Sequence, residues 1–178
     1  MFHVKPLKRR ARRSLLVAHV STSVGWLGLT VGLLALGITA FATGDPATAQ
    51  AATRAMQIFG DWLVVPVALA ALLSGLALSL GTPWGLARHR WVWTKFWLTL
   101  VSTGLSVFSL RPGINEAAEH GTAGVDLVIA PSVATATYLF MTAISVLKPW
   151  GPTRRGRRLR VSTRSVKAVD ERSLRPTA

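Results

Sequence analysis

Apolar residues along this chain gather into four long blocks, over about 14–41, 62–80, 91–110 and 127–147, with short polar stretches between them. A soluble domain of this length would alternate polar and apolar segments. Each block here is instead long enough to cross a hydrocarbon core of roughly 30 Å, which takes about 20 helical residues. The pattern predicts an all-α fold, a polytopic four-helix transmembrane bundle, with helices over about 14–41, 55–80, 91–111 and 125–147. Residues 1–13 form a basic N-terminal segment, 14–148 the membrane domain, and 149–178 a basic tail with too few large apolar residues to bury a core, read as disordered. A cleaved signal peptide also begins with basic residues and an apolar run, but its apolar core spans only about 7–15 residues.

At about 100° per residue, the first block divides into three faces. Val20, Val24, Leu27, Val31, Leu34 and Ile38 make an apolar face expected to meet lipid. Ser21, Gly25, Gly28, Gly32, Ala35 and Thr39 make a stripe of small residues, of the kind that lets a neighbouring helix approach closely. His19, Ser23, Trp26 and Thr30 make a polar stripe. The third block repeats the polar stripe with Lys95, Thr99, Ser102, Ser106 and Ser109, extended one turn by Trp91. Polar groups facing lipid are costly, so both stripes are expected to point inward. The second block sets Asp61, Ala68, Gly75 and Ser79 along one side, and the fourth offers Thr135, Tyr138 and Thr142. Hydroxyls and small residues alone indicate packing and not chemistry.

Charge adds orientation. The net charge of +14 suggests nucleic acid until the charges are located. Of the 21 Lys and Arg, eighteen precede the first block, follow the fourth, or lie between the second and third. Four crossings put all of these on one side, which the excess of Lys and Arg assigns to the cytoplasm of an inner (plasma) membrane protein with both termini inside. Asp45, Glu116, Glu119 and Asp126 fall on or beside the opposite loops. Trp84, Trp91, Trp93 and Trp150 cluster at the expected cytoplasmic interface, and Trp62 marks the outer one. The expected partners are therefore the bilayer and, through the basic termini, anionic lipid head groups. A homo-oligomer or a membrane partner protein is a further expectation, and nucleic acid is not expected.

The chain has no cysteine, which removes disulfides, thiolate catalysis and cysteine-held metal. Candidate chemistry rests on intramembrane ionisable residues: His19, Lys95 and Asp61. His19 and Lys95 each stand roughly 6–8 Å inside the cytoplasmic boundary at about 1.5 Å rise per residue. A lysine at that depth can simply snorkel to the interface, and a histidine can be a packed, hydrogen-bonded residue. Asp61 to Pro66 and Asp126 to Pro131 share a spacing that puts an acid at the start of a helix and a proline inside it, where it frees a carbonyl.

The order of features resembles the CopD and HemJ-type four-helix membrane proteins, and most of all an uncharacterised actinobacterial branch of that superfamily. Ala18-His19-Val20 followed by Gly25-Trp26-Leu27-Gly28 resembles its first helix. Pro66 with Ser74-Gly75-Leu76 resembles its second, and Trp91-Val-Trp-Thr-Lys95-Phe-Trp-Leu the opening of its third. The resemblance runs from about Ala18 to Leu105. It implies a haem b or porphyrin site in which His19 supplies the iron ligand and Lys95 pairs with a propionate, with Trp26 beside them. His19 is the one histidine inside the apolar blocks, so two-histidine ligation within one chain is unavailable. Met56 and Met141 are expected toward opposite sides of the membrane, which leaves no His/Met cluster for copper.

These observations support three functions. One is an accessory or structural membrane protein without catalysis of its own. Another is a haem- or porphyrin-associated protein using His19 and Lys95. The third is a small transporter or proton-linked permeation unit whose path includes Asp61, His19 and Lys95. No residue is assigned to catalysis.

Overall fold

A computed structural model describes residues 8–81, 89–120, 124–148, 150, 151, 153 and 157. It is helical almost throughout. The tail that the sequence reads as disordered, and Trp84 and Arg88 between the second and third blocks, lie outside the described residues, apart from the few tail positions named.

Helix α1 spans Arg9–Ala42, about 50 Å at 1.5 Å per residue. It begins five residues before its apolar block, because the arginines there are good helix formers and no Gly or Pro intervenes. Only Thr43, Gly44 and Asp45 connect it to α2. The Asp45 carboxylate accepts hydrogen bonds from the amides of Ala47 and Thr48, and Pro46 occupies the first turn, where a missing N–H costs nothing. With that cap, α2 runs over Pro46–Gly81. It starts ahead of the expected residue 55 because the alanine-rich stretch before Phe59 is strongly helical although too polar to read as a membrane block.

Helix α3 covers 90–120, nine residues past its expected end, and α4 spans Asp126–Leu147. Both α2 and α3 contain a wide π-helical turn, at Gly60–Val64 and Ser106–Leu110. Each turn ends two residues before a proline, Pro66 and Pro112. A proline ring crowds the carbonyl four residues back and offers it no N–H. A widened turn just ahead relieves that crowding without ending the helix. The two turns touch, and Arg111 Nε donates to Asp61 Oδ1 across them at 2.6 Å.

Helix α1 packs along α2 and α4, and α3 packs against α2 and α4. One core cluster joins Leu33, Met56, Val64, Ile114, Ala117 and Leu127 toward the Asp45 end. Met56, Ile114 and Ala117 show that the helix extensions beyond the apolar blocks pack on each other. A second cluster, toward the basic end, joins Trp26, Ala68, Ala71, Tyr138 and Met141. Met56 and Met141 thus sit in different clusters. Large apolar side chains elsewhere are exposed around the outside, among them Val17, Trp62, Leu73, Phe108, Ile129, Val133 and Leu139. A soluble protein rarely leaves so much contiguous apolar surface uncovered. Three helices, Arg9–Ala42, Pro46–Gly81 and Asp126–Leu147, are long and apolar enough to cross a membrane. The helix over 90–120 carries Lys95 and a run of hydroxyls and is less apolar.

The faces of α1 divide only in part as expected. Val31 and Ile38 are exposed, Leu34 is half-buried, and Trp26 and Thr30 are buried. Val20, Val24 and Leu27, expected to meet lipid, instead line a cavity between the helices, and Leu27 packs on the Trp26 cluster. The small-residue stripe, however, packs on the chain at Gly32, which is half-buried beside the Phe59 ring, and little elsewhere. Ser21, Gly25, Gly28, Ala35 and Thr39 are exposed, and nothing approaches a β-carbon built at Gly25 or Gly28. The close approach occurs instead at Gly37, which lies directly on the backbone carbonyl of Leu127 in α4. That carbonyl is the one Pro131, four residues on, cannot bond. The missing β-carbon of Gly37 therefore lets α1 cover a carbonyl left without its helical partner, as a Cα–H···O contact. Ser109 also departs from the polar stripe of α3 and is exposed. Ser109 lies inside the π turn, whose wider winding carries it off the α-helical register of the stripe.

Candidate ligand-binding cavity

A cavity of about 590 Å³ opens among all four helices in the half of the protein nearest the basic end. Arg12, Trp91 and Lys148 stand at its mouth, His19 and Lys95 in its middle, and Trp26, Thr99, Tyr138 and Met141 at its floor. Leu16, Val20, Leu76, Phe96 and Val146 form much of the wall. The two ionisable residues from the polar stripes therefore line one space, His19 from α1 and Lys95 from α3.

The orientation of His19 comes from α2. Its Nδ1 lies 3.1 Å from the Ala71 carbonyl oxygen and 3.0 Å from Ser74 Oγ. A carbonyl can only accept, and the Ser74 hydroxyl already donates to the Ala70 carbonyl at 2.6 Å. Nδ1 must therefore carry the proton, since a bare nitrogen would set two lone pairs against each other. In the neutral imidazole this leaves Nε2 with its lone pair, and Nε2 makes no hydrogen bond among the described residues. A backbone carbonyl on one ring nitrogen is the usual way a protein holds the other for a metal. Room for the ring exists because residue 75 is glycine: a β-carbon there would stand 2.9 Å from His19 Cε1.

Lys95 is fixed from the other side. Its Nζ donates to Ser145 Oγ at 2.7 Å, and that hydroxyl in turn donates to the Met141 carbonyl at 2.6 Å. The lysine is thus held within the cavity by α4. At the floor, the rings of Trp26 and Tyr138 stack at 4.5 Å between centroids, tilted by 41°. Both side chains are at least nine-tenths buried, yet Trp26 Nε1 and the Tyr138 hydroxyl have no hydrogen-bond partner among the described residues. The hydroxyl lies beside Ser102 and Ser106 without closing a bond of ordinary geometry to either.

Of the residues singled out in the sequence, His19, Ser23, Trp26, Lys95 and Thr99 line the cavity. Thr30 and Ser106 are buried but donate to carbonyls of their own helices, Leu27 and Ser102. Ser102 stands beside the floor, outside the lining. Asp61 is in the other half of the protein, paired with Arg111, and does not belong to the cavity. Sequence reasoning missed Ser145, Ser74, the Ala71 carbonyl and Arg12 as parts of the site. A signal for Ser145 exists, because it lies seven residues beyond Tyr138 and so on the same helical face. The Ala71 carbonyl carries no such signal, since a backbone acceptor has no residue type.

Among the described residues no three His, Asp or Glu side chains converge on a point where they could hold a metal ion. Among the described residues, one imidazole, that of His19, lines the cavity for iron to take. The donor set suits such a group: one oriented nitrogen lone pair, an ammonium at the same depth, and apolar walls. No family model, no curated protein and no solved structure matches this chain.

Proposed function

We propose that this chain is an integral membrane protein that crosses the inner membrane four times, with both ends in the cytoplasm, and holds haem or a porphyrin in its cavity. The observation that carries the reading is the His19 Nδ1–H bond to the Ala71 carbonyl, which in the neutral ring leaves the Nε2 lone pair of a cavity-lining residue available to iron. His19 would ligate the iron and Lys95 would pair with a propionate, while Trp26 and Tyr138 would lie against the ring. When bound, the group supplies an iron whose remaining coordination positions depend on what else the cavity admits. The resemblance of Ala18 to Leu105 to the CopD and HemJ-type proteins supports the same reading. It assigns the chain no catalytic step, which accords with an accessory role. The separation of Asp61 from the cavity argues against a continuous path through His19, Lys95 and Asp61.

The test is an absorption spectrum of detergent-purified protein from haem-replete cells. A Soret band is expected in the wild type and its loss in His19→Ala. Colourless wild-type protein sinks the proposal. Reporter fusions at Gly44 and Gly151 test the orientation. The first should report the periplasm and the second the cytoplasm, and a periplasmic signal at Gly151 overturns it.

A further inference from the structure

We infer that the cavity mouth selects a ligand with two carboxylates on one edge, and that Arg12 is the specificity-determining residue for them beside Lys95. This rests on the haem and porphyrin reading above and concerns the edge of the ligand that iron does not touch. The carrying observation is a charge imbalance. Arg12 and Lys95 line the cavity, and among the described residues no Asp or Glu lines it. The ion pair of Asp61 with Arg111 is in the other half of the protein. Lys95 is held by a neutral hydroxyl, which orients the ammonium without offsetting its charge. Cations beside hydrocarbon are costly unless paired, so this lining favours an anionic guest.

Geometry narrows the guest further. Arg12 and His19 are seven residues apart on α1, so they share a face with the arginine about 10 Å nearer the basic end. Lys95 stands on α3, which reaches the cavity from another side. A flat ligand held at its centre by His19 Nε2 would turn one edge toward both cations and the opposite edge toward Trp26 and Tyr138. The guanidinium can clamp a carboxylate through two parallel N–H bonds, which an ammonium cannot. Leu16, Val20 and Phe96 offer the body of the ligand only apolar contact.

The experiment titrates the full chain, in nanodiscs of neutral lipid, with haemin and with haemin dimethyl ester, following the Soret band. The ester keeps the iron and the ring and removes both charges. The diacid should bind at least about tenfold tighter than the ester. Arg12→Gln should weaken the diacid about tenfold and leave the ester unchanged, and Arg12→Lys should recover part of the loss. Arg10→Gln, close by but outside the cavity lining, should alter neither.

Equal affinity for diacid and ester overturns this inference and leaves the haem reading standing. Failure of both to bind overturns the haem reading and this inference with it. An Arg10→Gln effect as large as that of Arg12→Gln assigns the attraction to the basic terminus at large, against a selective mouth. Abolition of the diacid preference by anionic lipid in the nanodisc assigns these cations to lipid head groups, which also overturns it.

Discussion

The imidazole of His19 lies so close to Gly75 that a β-carbon there would stand 2.9 Å from Cε1. The close fit lets one face of α2 supply the Ala71 carbonyl and the Ser74 hydroxyl to the same ring nitrogen. Gly75→Ala must displace the ring, because the neighbouring helix backbone cannot yield as readily as a side chain. The expected result is a loss of roughly tenfold in haem affinity, with helix content unchanged by circular dichroism. An overpacked site typically costs about 1–3 kcal/mol. Unaltered affinity would show that the observed ring position is not the one that binds.

Gly37 and Gly28 lie on the same helix and should respond in opposite directions. A β-carbon at Gly37 runs into the Leu127 carbonyl, and the backbone of α4 has to move. Gly37→Ala should lower stability by about 1–3 kcal/mol. At Gly28 nothing lies within 4 Å, so Gly28→Ala should be neutral or stabilising by up to about 1 kcal/mol, as for any helical glycine. Thermal unfolding in detergent, followed at 222 nm, distinguishes the two.

The Asp61–Arg111 pair joins two π turns but is partly exposed, with 26% of the Asp61 side chain and 47% of the Arg111 side chain accessible. A pair so placed is worth about 0–1 kcal/mol despite its short distance. Asp61→Asn should therefore cost less than about 1 kcal/mol, and the cost should shrink at high salt. A double-mutant cycle with Arg111→Gln measures the coupling. A coupling of several kcal/mol would mean that the pair is buried in the membrane-bound protein.

Asp45 caps α2 from the short connection to α1. The Thr48 hydroxyl at 2.6 Å, with the amides of Thr48 and Ala47, holds its carboxyl below its ordinary value of 3.8. A lowered value in the folded state stabilises above the unfolded value and is lost as pH falls through the folded one. Unfolding temperature should therefore drop on acidification below about pH 4, and Asp45→Asn should flatten that part of the profile while keeping an amide acceptor for the cap. An identical acid slope in Asp45→Asn would assign the effect to other carboxylates.

Much of this protein is legible without coordinates because hydrocarbon imposes strict rules on sequence. Block length marks three of the helices as membrane-crossing, and the 3.6-residue period places Trp26 and Thr30 inward and Val31 and Ile38 outward. The same period brings His19 and Lys95 to polar faces at equal depth. Other features depend on what lies across the interface, and no local pattern records that. The stripe from Ser21 to Thr39 has the spacing of a helix contact, yet α1 meets α4 most closely at Gly37, where Pro131 deprives the Leu127 carbonyl of its usual helical partner. Ser109 fits the α3 stripe by counting, but it lies inside a π turn ahead of Pro112, whose wider winding carries it off the stripe. Whether His19 faced Lys95, and which of its nitrogens was held, required a backbone carbonyl of α2 and a hydroxyl of α4 brought together only by packing. Sequence sets each helix's own faces, because those arise from a fixed rotation per residue. Tertiary structure alone decides which faces share a cavity, because that depends on how four helices divide the space between them.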